Sequence, residues 1–483
     1  MDLVRTILGA LWHGAQLLHH ARLALDAVVR ALYRLYVSHR LLLQWTTAAA
    51  AQASASTALS TLVRQHRATS LLALLLLTAL LVSRTPHPWL AGVLCGLWAL
   101  SPVWTWWVSR SPPASESAQL TAAERTAFES IARDTWRFFE RCVNEQTNAL
   151  PPDNLQITPH ETVANRTSPT NIGLYLLSAA CARRFGWIDT LDLLSRLDAT
   201  LATLDRLQRH RGHFLNWYDT STCAPLMPMY VSTVDSGNLS GHLLAVAQAC
   251  LELSAQEALH AERLIQMAAR LEGVAWAAEF GFLYSRRRRL LHIGYRVAEQ
   301  QMDSGFYDLL ASESRLTSLL AIAKGDVPVR HWSALGRPFY AVGTQVGLRS
   351  WSGSMFEYLM PTLVLDEPQG SVLQQACRAA LAEQMAFARA HNVPWGISES
   401  AYAGRDHTLA YQYAPQGVPR LALRRTPPSD LVVAPYATAL AAQICPSLAA
   451  TNFVALQALS ARGAYGFIEA LDYSPAQQTQ PVV

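Results

Sequence analysis

Residues 68–109 contain no Asp, Glu or Lys and a single Arg, Arg84. A run of that length without charge must be buried in protein or in lipid, because water cannot solvate it as a loop. The turn Arg84-Thr85-Pro86-His87 divides it. The first part, 68–83, has the core LLALLLLTALLV and is short for a span. The second, 88–109, is about long enough for a roughly 30 Å hydrocarbon layer, and Trp89, Trp104, Trp106 and Trp107 lie towards its ends, where interfacial tryptophans belong. A leucine-rich helix in a soluble core is the alternative; two uncharged runs joined by a four-residue turn favour a transmembrane hairpin. A hairpin returns both flanks to one side. Arg22, Arg30, Arg34, Arg40, Arg64 and Arg67 before it outweigh Arg84 in the turn, so the expected flanking compartment is the bacterial cytoplasm.

The rest of the chain is organised around this element. Residues 1–67 read as an amphipathic Ala/Arg-rich helical arm, with Leu25, Val28, Leu32 and Leu35 at helical spacing and no signal-peptide cleavage pattern. Residues 110–123, including SPPAS, are an expected linker, 124–474 a globular domain, and 475–483 a disordered tail.

Composition narrows the functional classes. Only 15% of residues are charged, against about 25% in average soluble domains. The net charge of +4 is carried almost wholly by arginine, with Lys324 the one lysine, and the only basic run, 286–289, reads as a solvated turn; no nucleic-acid partner is expected. Seven cysteines, an odd number without a CxxC pair, fit free thiols in a reducing compartment. The chain has no GxGxxG, P-loop or HExxH, which removes nucleotide and zinc-peptidase chemistry from the leading readings. His210 and His213 lack a third ligand at metal spacing, so neither a metal nor a cofactor is expected.

Beyond the linker, helical segments alternate with loops rich in Gly, Pro, Ser and aromatics, and no period-two strand series stands out. Helices are expected over 172–185 (opened by Ser168-Pro169 and closed by Gly186), 238–253, 313–323 (stopped by Gly325), 371–390 and 437–444. Several are apolar around much of their circumference and must be covered on two sides. The expected fold is all-α, an α/α barrel whose alternate loops gather at one end and hold the chemistry.

Those loops combine aromatic faces with carboxylates, amides and hydroxyls, the equipment for packing on and hydrogen-bonding sugars. Glycosyl chemistry commonly takes two carboxyl groups. The candidates are Asp219, Asp235, Asp303, Asp308, Glu313, Glu357, Glu399 and Asp406. Asp235 precedes Ser236-Gly237 at a helix start and reads more readily as a cap than as a catalyst, and Glu357 in MFEYLMP reads equally as a buried structural acid. Asp303 and Asp308 read as backbone-orienting groups. Glu399 in PWGISESAY is the best local case, since Trp395 and Tyr402 can desolvate it. Glu313 comes second, with a first-turn helix acid as its alternative. The pair is expected across one cleft lined by Trp217, Tyr230, Trp351, Trp395 and Tyr411.

The motifs RTSPTNIGLYLLS, LDRLQRHRGHFLNWYDT, YVSTVDSGNLSGHLLAVAQ, YDLLASESRL, SWSGSMFEYLMP, PWGISESAY, YQYAPQGVP and APYATALAA closely resemble the glycoamylase-like domain of cyclic β-1,2-glucan synthases over roughly residues 123–473. The resemblance implies an (α/α)6 barrel that closes linear β-1,2-glucan into a ring by anomer-retaining transglycosylation, and a membrane hairpin upstream is family-like. It implies Glu313 as acid/base and Glu399 as nucleophile. Local physics leaves that order open, because a helix N-terminus favours ionised Glu313 while aromatic burial favours protonated Glu399. Arg211, Trp217, Tyr230, Asp235, Asp303, Trp351, Glu357, Trp395, Tyr402, Tyr411 and Tyr413 are the expected glucan-binding residues. The family's glycosyltransferase and phosphorylase-like domains are not in this sequence, and where the family continues into a further barrel helix this sequence has PAQQTQPVV. The implied consequence is a barrel open at its C-terminal end or completed by separate polypeptides. An endo-β-1,2-glucanase and a non-catalytic glycan-holding subunit are the other readings.

Overall fold

The computed structural model describes residues 2–40, 59–109, 120–158, 160–342, 345–405, 411–424 and 431–474. The candidate carboxylate Asp406, most of the expected linker and the expected tail lie outside them. Two compact units emerge, Met1–Ser117 and Ala118–Val483.

In the first unit, α1 (Asp2–Tyr33) packs against α2 (Leu59–Val82), α3 (Pro88–Ala99) and α4 (Ser101–Val108). Helix α2 begins before the uncharged run and has 24 residues, so it is longer than the run alone implies; at 1.5 Å per residue it extends about 36 Å. It is the one described helix long and apolar enough to cross a membrane. Helices α3 and α4 make a second span only if taken together, because they meet at a 53° bend. Pro102, in the first turn of α4, has no N–H to continue the ladder of α3. Leu75, Val82, Trp89 and Val93 stand exposed on the outside of this unit. Its interior is polar in places: Gln16 donates to Thr105 (2.9 Å), and His66 lies 3.0 Å from Ser101 and stacks on His19. The arm is therefore tied to the hairpin helices by specific contacts.

In the second unit, outer helices α5 (Ala122–Cys142), α7 (Thr190–Leu204), α9 (Ala261–Ala275), α11 (Arg330–Ala334), α13 (Val372–His391) and α15 (Pro446–Ala458) alternate with inner helices α6 (Pro169–Arg184), α8 (Thr233–Gln256), α10 (Arg315–Lys324), α12 (Met355–Leu359) and α14 (Pro435–Ala441). This is an α/α barrel with five inner helices among the described residues. Helix α15 packs back on α5, where Phe453 meets Phe128 edge to face, and Arg462 pairs with Asp134 of α5 at 2.5 Å.

The division into layers follows from composition. Outer helices α9 and α13 bury one stripe, such as Leu264, Met267, Ala268 and Leu271 of α9. Helix α8 is covered almost all round in its first half, where small residues let neighbours close in. A Cβ on Gly237 would lie 1.9 Å from Thr317 Oγ1 of α10. Helix starts follow the expected capping: Ser168 accepts from Asn171 N (3.2 Å) ahead of Pro169, Ser371 caps α13, and Gly325 ends α10 in a left-handed conformation.

The loops carry more strand than alternation in the sequence reveals. Strands β1 (Arg166–Thr167), β2 (Asn216–Asp219), β3 (Pro225–Ser232), β4 (Gly294–Arg296) and β5 (Gln301–Met302) form an antiparallel sheet in the order β5-β4-β3-β2-β1. Strands β6 (Ser400–Arg405) and β7 (Tyr411–Ala414) pair as a separate ribbon. Most are too short to show a period of two, and the pairings of β1 with β2 and of β3 with β4 join segments about 50 or more residues apart. The four arginines 286–289 are exposed between Tyr284–Ser285 and Leu290–His292, as a solvated turn requires.

Candidate active site

Glu313 precedes α10, whose first residue is Arg315, so it stands outside the helix rather than in its first turn. What fixes it is Arg315. This side chain is 1% exposed, donates to the carbonyls of Ser312 (3.1 Å), Glu357 (2.9 Å) and Tyr358 (2.6 Å), and pairs with Glu367 at 3.1 Å. The loop before α10 is thereby locked to α12.

Glu399 is held from the other side. Buried Gln384 of α13 clamps both backbone groups of Ile397 at 2.7 Å, and Ala434 N donates to the carbonyl of Gly396, whose φ of +130° suits glycine. The Tyr436 hydroxyl lies 2.7 Å from the Glu399 carbonyl and 2.8 Å from Ser398 Oγ, which also accepts from Phe356 N. Thus α12, α13 and α14 together position the PWGISES loop.

The electrostatics separate the two acids. Burial raises Glu313 well above the ordinary carboxyl range, and the charges of Glu399, Asp235 and Glu357 push in the same direction, against one opposing hydrogen bond from Asn238. Burial also raises Glu399, to about 7, with Glu357 adding and the Tyr413 hydroxyl opposing. The balance expected from a helix dipole on Glu313 and aromatic burial of Glu399 is therefore reversed, because burial and the three neighbouring acids raise Glu313 further than Glu399. As pH rises, Glu399 gives up its proton first and Glu313 retains its own.

The remaining candidates divide by what holds them. Glu357 accepts from Ser350 Oγ (2.8 Å), Trp351 N (3.0 Å), Ser352 N, Ser352 Oγ (2.5 Å) and Ser354 N (3.1 Å), and closes a capping box on α12. Asp235 is not the cap of α8, which is Ser232; its carboxylate accepts from Thr170 Oγ1 (2.6 Å) and Asn216 Nδ2 (3.0 Å). Asp303 accepts from the Tyr230 hydroxyl and lies 3.8 Å from Arg296. Asp219 is lowered by hydrogen bonds from Ser221 and Thr222, which it ties into a turn, and Asp308 is exposed.

Trp217, Tyr230, Asp235 and Asn216 line one pocket of about 360 Å³ with Met227 and Pro228. The guanidinium of Arg166 lies over Trp217 at 5.2 Å. Trp351 is 53% exposed beside Arg424. Trp395 is half-buried against the core and receives its anchoring from Asn452, while Tyr402, Tyr411 and Tyr413 lie along the β6–β7 ribbon. Around Glu399 the structure places Tyr413 and Tyr436, a different aromatic environment from the expected Trp395 and Tyr402. Arg211 stands exposed over Phe282. His210 stacks on Tyr295, and buried His213 contacts Ser236 at 2.8 Å, so both are packing residues. Among the described residues no cluster of His, Cys, Asp and Glu is arranged to hold a metal.

Several contributors were not singled out from the sequence. Tyr307 is raised by burial and by the charges of Glu313, Asp235 and Glu399, which places it among all three. Glu469 is exposed and accepts from Ala401 N, two residues beyond Glu399. Tyr307 and Tyr436 lay inside conspicuous motifs, but nothing local distinguished them from core tyrosines.

The fold is an α/α barrel, and residues 305–482 match the family described as putative glucoamylase. More particularly, the chain is 38% identical to the cyclic β-(1,2)-glucan synthase NdvB of Rhizobium meliloti, over an alignment of 580 positions that takes in 95% of this chain. The chain spans 20% of that protein's length. Among solved structures, the endo-β-1,2-glucanase of Talaromyces funiculosus in complex with sophorose superposes with a TM-score of 0.61 at 14% identity, covering 77% of this chain and 84% of that one. The Chitinophaga pinensis endo-β-1,2-glucanase, solved with sophorotriose and glucose, gives 0.58 at 15% identity, covering 75% and 89%. A putative glucoamylase from Bacteroides fragilis gives 0.58 at 16%, covering 77% and 89%.

Proposed function

We propose that the chain is a membrane-tethered enzyme that acts on linear β-1,2-glucan and closes it into a ring by retaining transglycosylation. The observation that carries the reading is the pair Glu313 and Glu399, two half-buried carboxyls within electrostatic reach of each other, of which Glu313 holds its proton more strongly. Similarity to the rhizobial synthase supports the choice of glucan.

In this reading Glu399 attacks the anomeric carbon as the carboxylate. The glycosidic C–O bond breaks, and Glu313 gives its proton to the departing oxygen. A 2-hydroxyl at the far end of the same chain then attacks the glycosyl-enzyme ester, returns a proton to Glu313 and frees Glu399. Tyr413, donating to Glu399, favours the ionised form that the attack needs. Trp217, Tyr230, Trp351 and the tyrosines of the β6–β7 ribbon supply ring faces for the glucan. Helix α2 and the bent α3–α4 pair form the membrane hairpin, in a bacterial inner membrane with the barrel on the cytoplasmic side. The arginine excess before the hairpin supports that orientation. Separate glycosyltransferase and phosphorylase-like polypeptides are its proposed partners.

Incubating the detergent-solubilised full chain with linear β-1,2-glucan tests the activity. Cyclic products are expected; shorter linear products would make it a hydrolase, and unchanged glucan would contradict an enzymatic role. Carbonate washing of membranes tests the tether, with retention in the pellet expected and release overturning it.

A further inference from the structure

Helix α1 turns polar side chains towards protein and an apolar stripe outward, the reverse of a helix folded in water. Gln16, 3% exposed, donates to Thr105 Oγ1 of α4 at 2.9 Å, and the indole of Trp98 on α3 donates to the carbonyl of Gly14 at 3.0 Å. His19 lies 2.9 Å from Thr69 Oγ1 and stacks on His66 of α2, and Arg22 donates to the same Thr69 hydroxyl at 3.2 Å. At about 100° per residue, Gln16, His19 and Arg22 share the side that meets the hairpin helices. Leu17, Leu25, Val28, Val29 and Leu32 share another side, and all five are exposed. Rolling the helix to hide that stripe would set leucine against the hydroxyls of Thr69 and Thr105 and leave them without these partners. The polar contacts therefore hold the stripe outward.

We propose that α1 lies against an anionic bilayer, with Leu17, Leu25, Val28, Val29 and Leu32 among the acyl chains at the headgroup boundary and the arginines of the arm at the lipid phosphates. The inference rests on the reading of α2, α3 and α4 as a membrane hairpin and extends lipid contact to the arm. Hydrocarbon is the solvent that accepts an outward leucine and valine stripe, and the charges supply the second half of the match. Residues 1–67 hold seven arginines against two aspartates, and Asp26 is already paired with Arg30 at 2.9 Å. Arg22, held at Thr69, stands at the edge of the uncharged run, where a headgroup phosphate would lie. A second copy of the chain could cover the same stripe, but it would bring two arginine-rich arms together, which like charge disfavours.

The test places the photocrosslinker p-benzoylphenylalanine at Leu25, Leu32, Ala27 or Leu75 of the full chain, reconstituted in nanodiscs of phosphatidylcholine with phosphatidylglycerol, and reads the adducts by mass spectrometry. Leu25 and Leu32 should give at least about fivefold more lipid adduct than Ala27, which lies on the far side of α1. Leu75, exposed on α2, reports on the hairpin. Lipid adduct at Leu75 with none at Leu25 and Leu32 would overturn the inference and leave the hairpin standing. No adduct at Leu75 would overturn the hairpin reading, and the inference with it. Crosslinks from Leu25 and Leu32 to a second copy of the chain would replace the lipid by a dimer interface. In nanodiscs of phosphatidylcholine alone the yield at Leu25 and Leu32 should fall severalfold while that at Leu75 holds; equal yields in the two compositions would overturn the match to an anionic surface.

Discussion

Two acids on neighbouring loops meet opposite fates. Glu357 receives five donors from the Ser350–Ser354 backbone and hydroxyls, whereas Glu313 receives one side-chain hydrogen bond and faces three other acids. The two loops are stitched together by a single buried guanidinium, Arg315, so they share one environment and differ in their supply of donors. A carboxylate surrounded by N–H and O–H groups is a structural anion; a carboxyl deprived of them keeps its proton and can give it away. That difference, together with the burial that raises Glu313, separates a capping acid from a catalytic candidate here.

The largest expected effect lies at the donor-poor acid. Glu313→Gln should lower turnover by about 10²- to 10⁴-fold, with glucan binding preserved, because the amide keeps the shape without the transferable proton. Steady-state kinetics and glucan affinity together check this; an equal loss from Glu357→Gln with Glu313→Gln active would invert the comparison. Next comes the stitch itself. Arg315→Met leaves Glu367 without its buried guanidinium and removes the side-chain donor from three carbonyls, and should cost about 3–5 kcal/mol in unfolding free energy.

How far the sequence revealed this contrast depended on the distance between partners. The capping box of Glu357 is local, Ser354 to Glu357, and a buried structural acid was one of its two sequence readings. The alternation of helices and the helix caps were legible for the same reason, since their signals repeat within a few residues. Arg315, Asn238 and Thr170 were not, because their partners lie 42, 68 and 65 residues away. The start of α10 two residues after Glu313 was also beyond the sequence pattern, as was the burial of Glu313 beside Glu399, Asp235 and Glu357 that reversed the expected electrostatics. The five-stranded sheet was missed because its edge strands have two residues each.

Smaller effects sharpen the same comparison. Glu357→Gln turns an amide NH2 towards hydroxyl and amide donors and should lose about 1–3 kcal/mol of stability, read by denaturant unfolding. At Glu399 the sign follows from its folded value of about 7 against an ordinary 4.5. The wild type keeps its full stability below about pH 4.5 and loses part of it as pH rises through 7. Glu399→Gln escapes that loss, so its advantage over wild type should grow between pH 4 and pH 8, by on the order of 1–2 kcal/mol. Trp351→Ala, at an exposed ring, should raise KM by an amount equivalent to about 1 kcal/mol with the melting temperature unchanged.

The most direct measurement is infrared difference spectroscopy of carboxyl protonation above about pH 8, where Glu399 has given up its proton, comparing wild type with Glu313→Gln and Glu357→Gln. A protonated-carboxyl C=O band that disappears in Glu313→Gln and survives in Glu357→Gln is the predicted result. A band of undiminished intensity in Glu313→Gln would contradict the account, since Glu313 would then be ionised and could not be the acid.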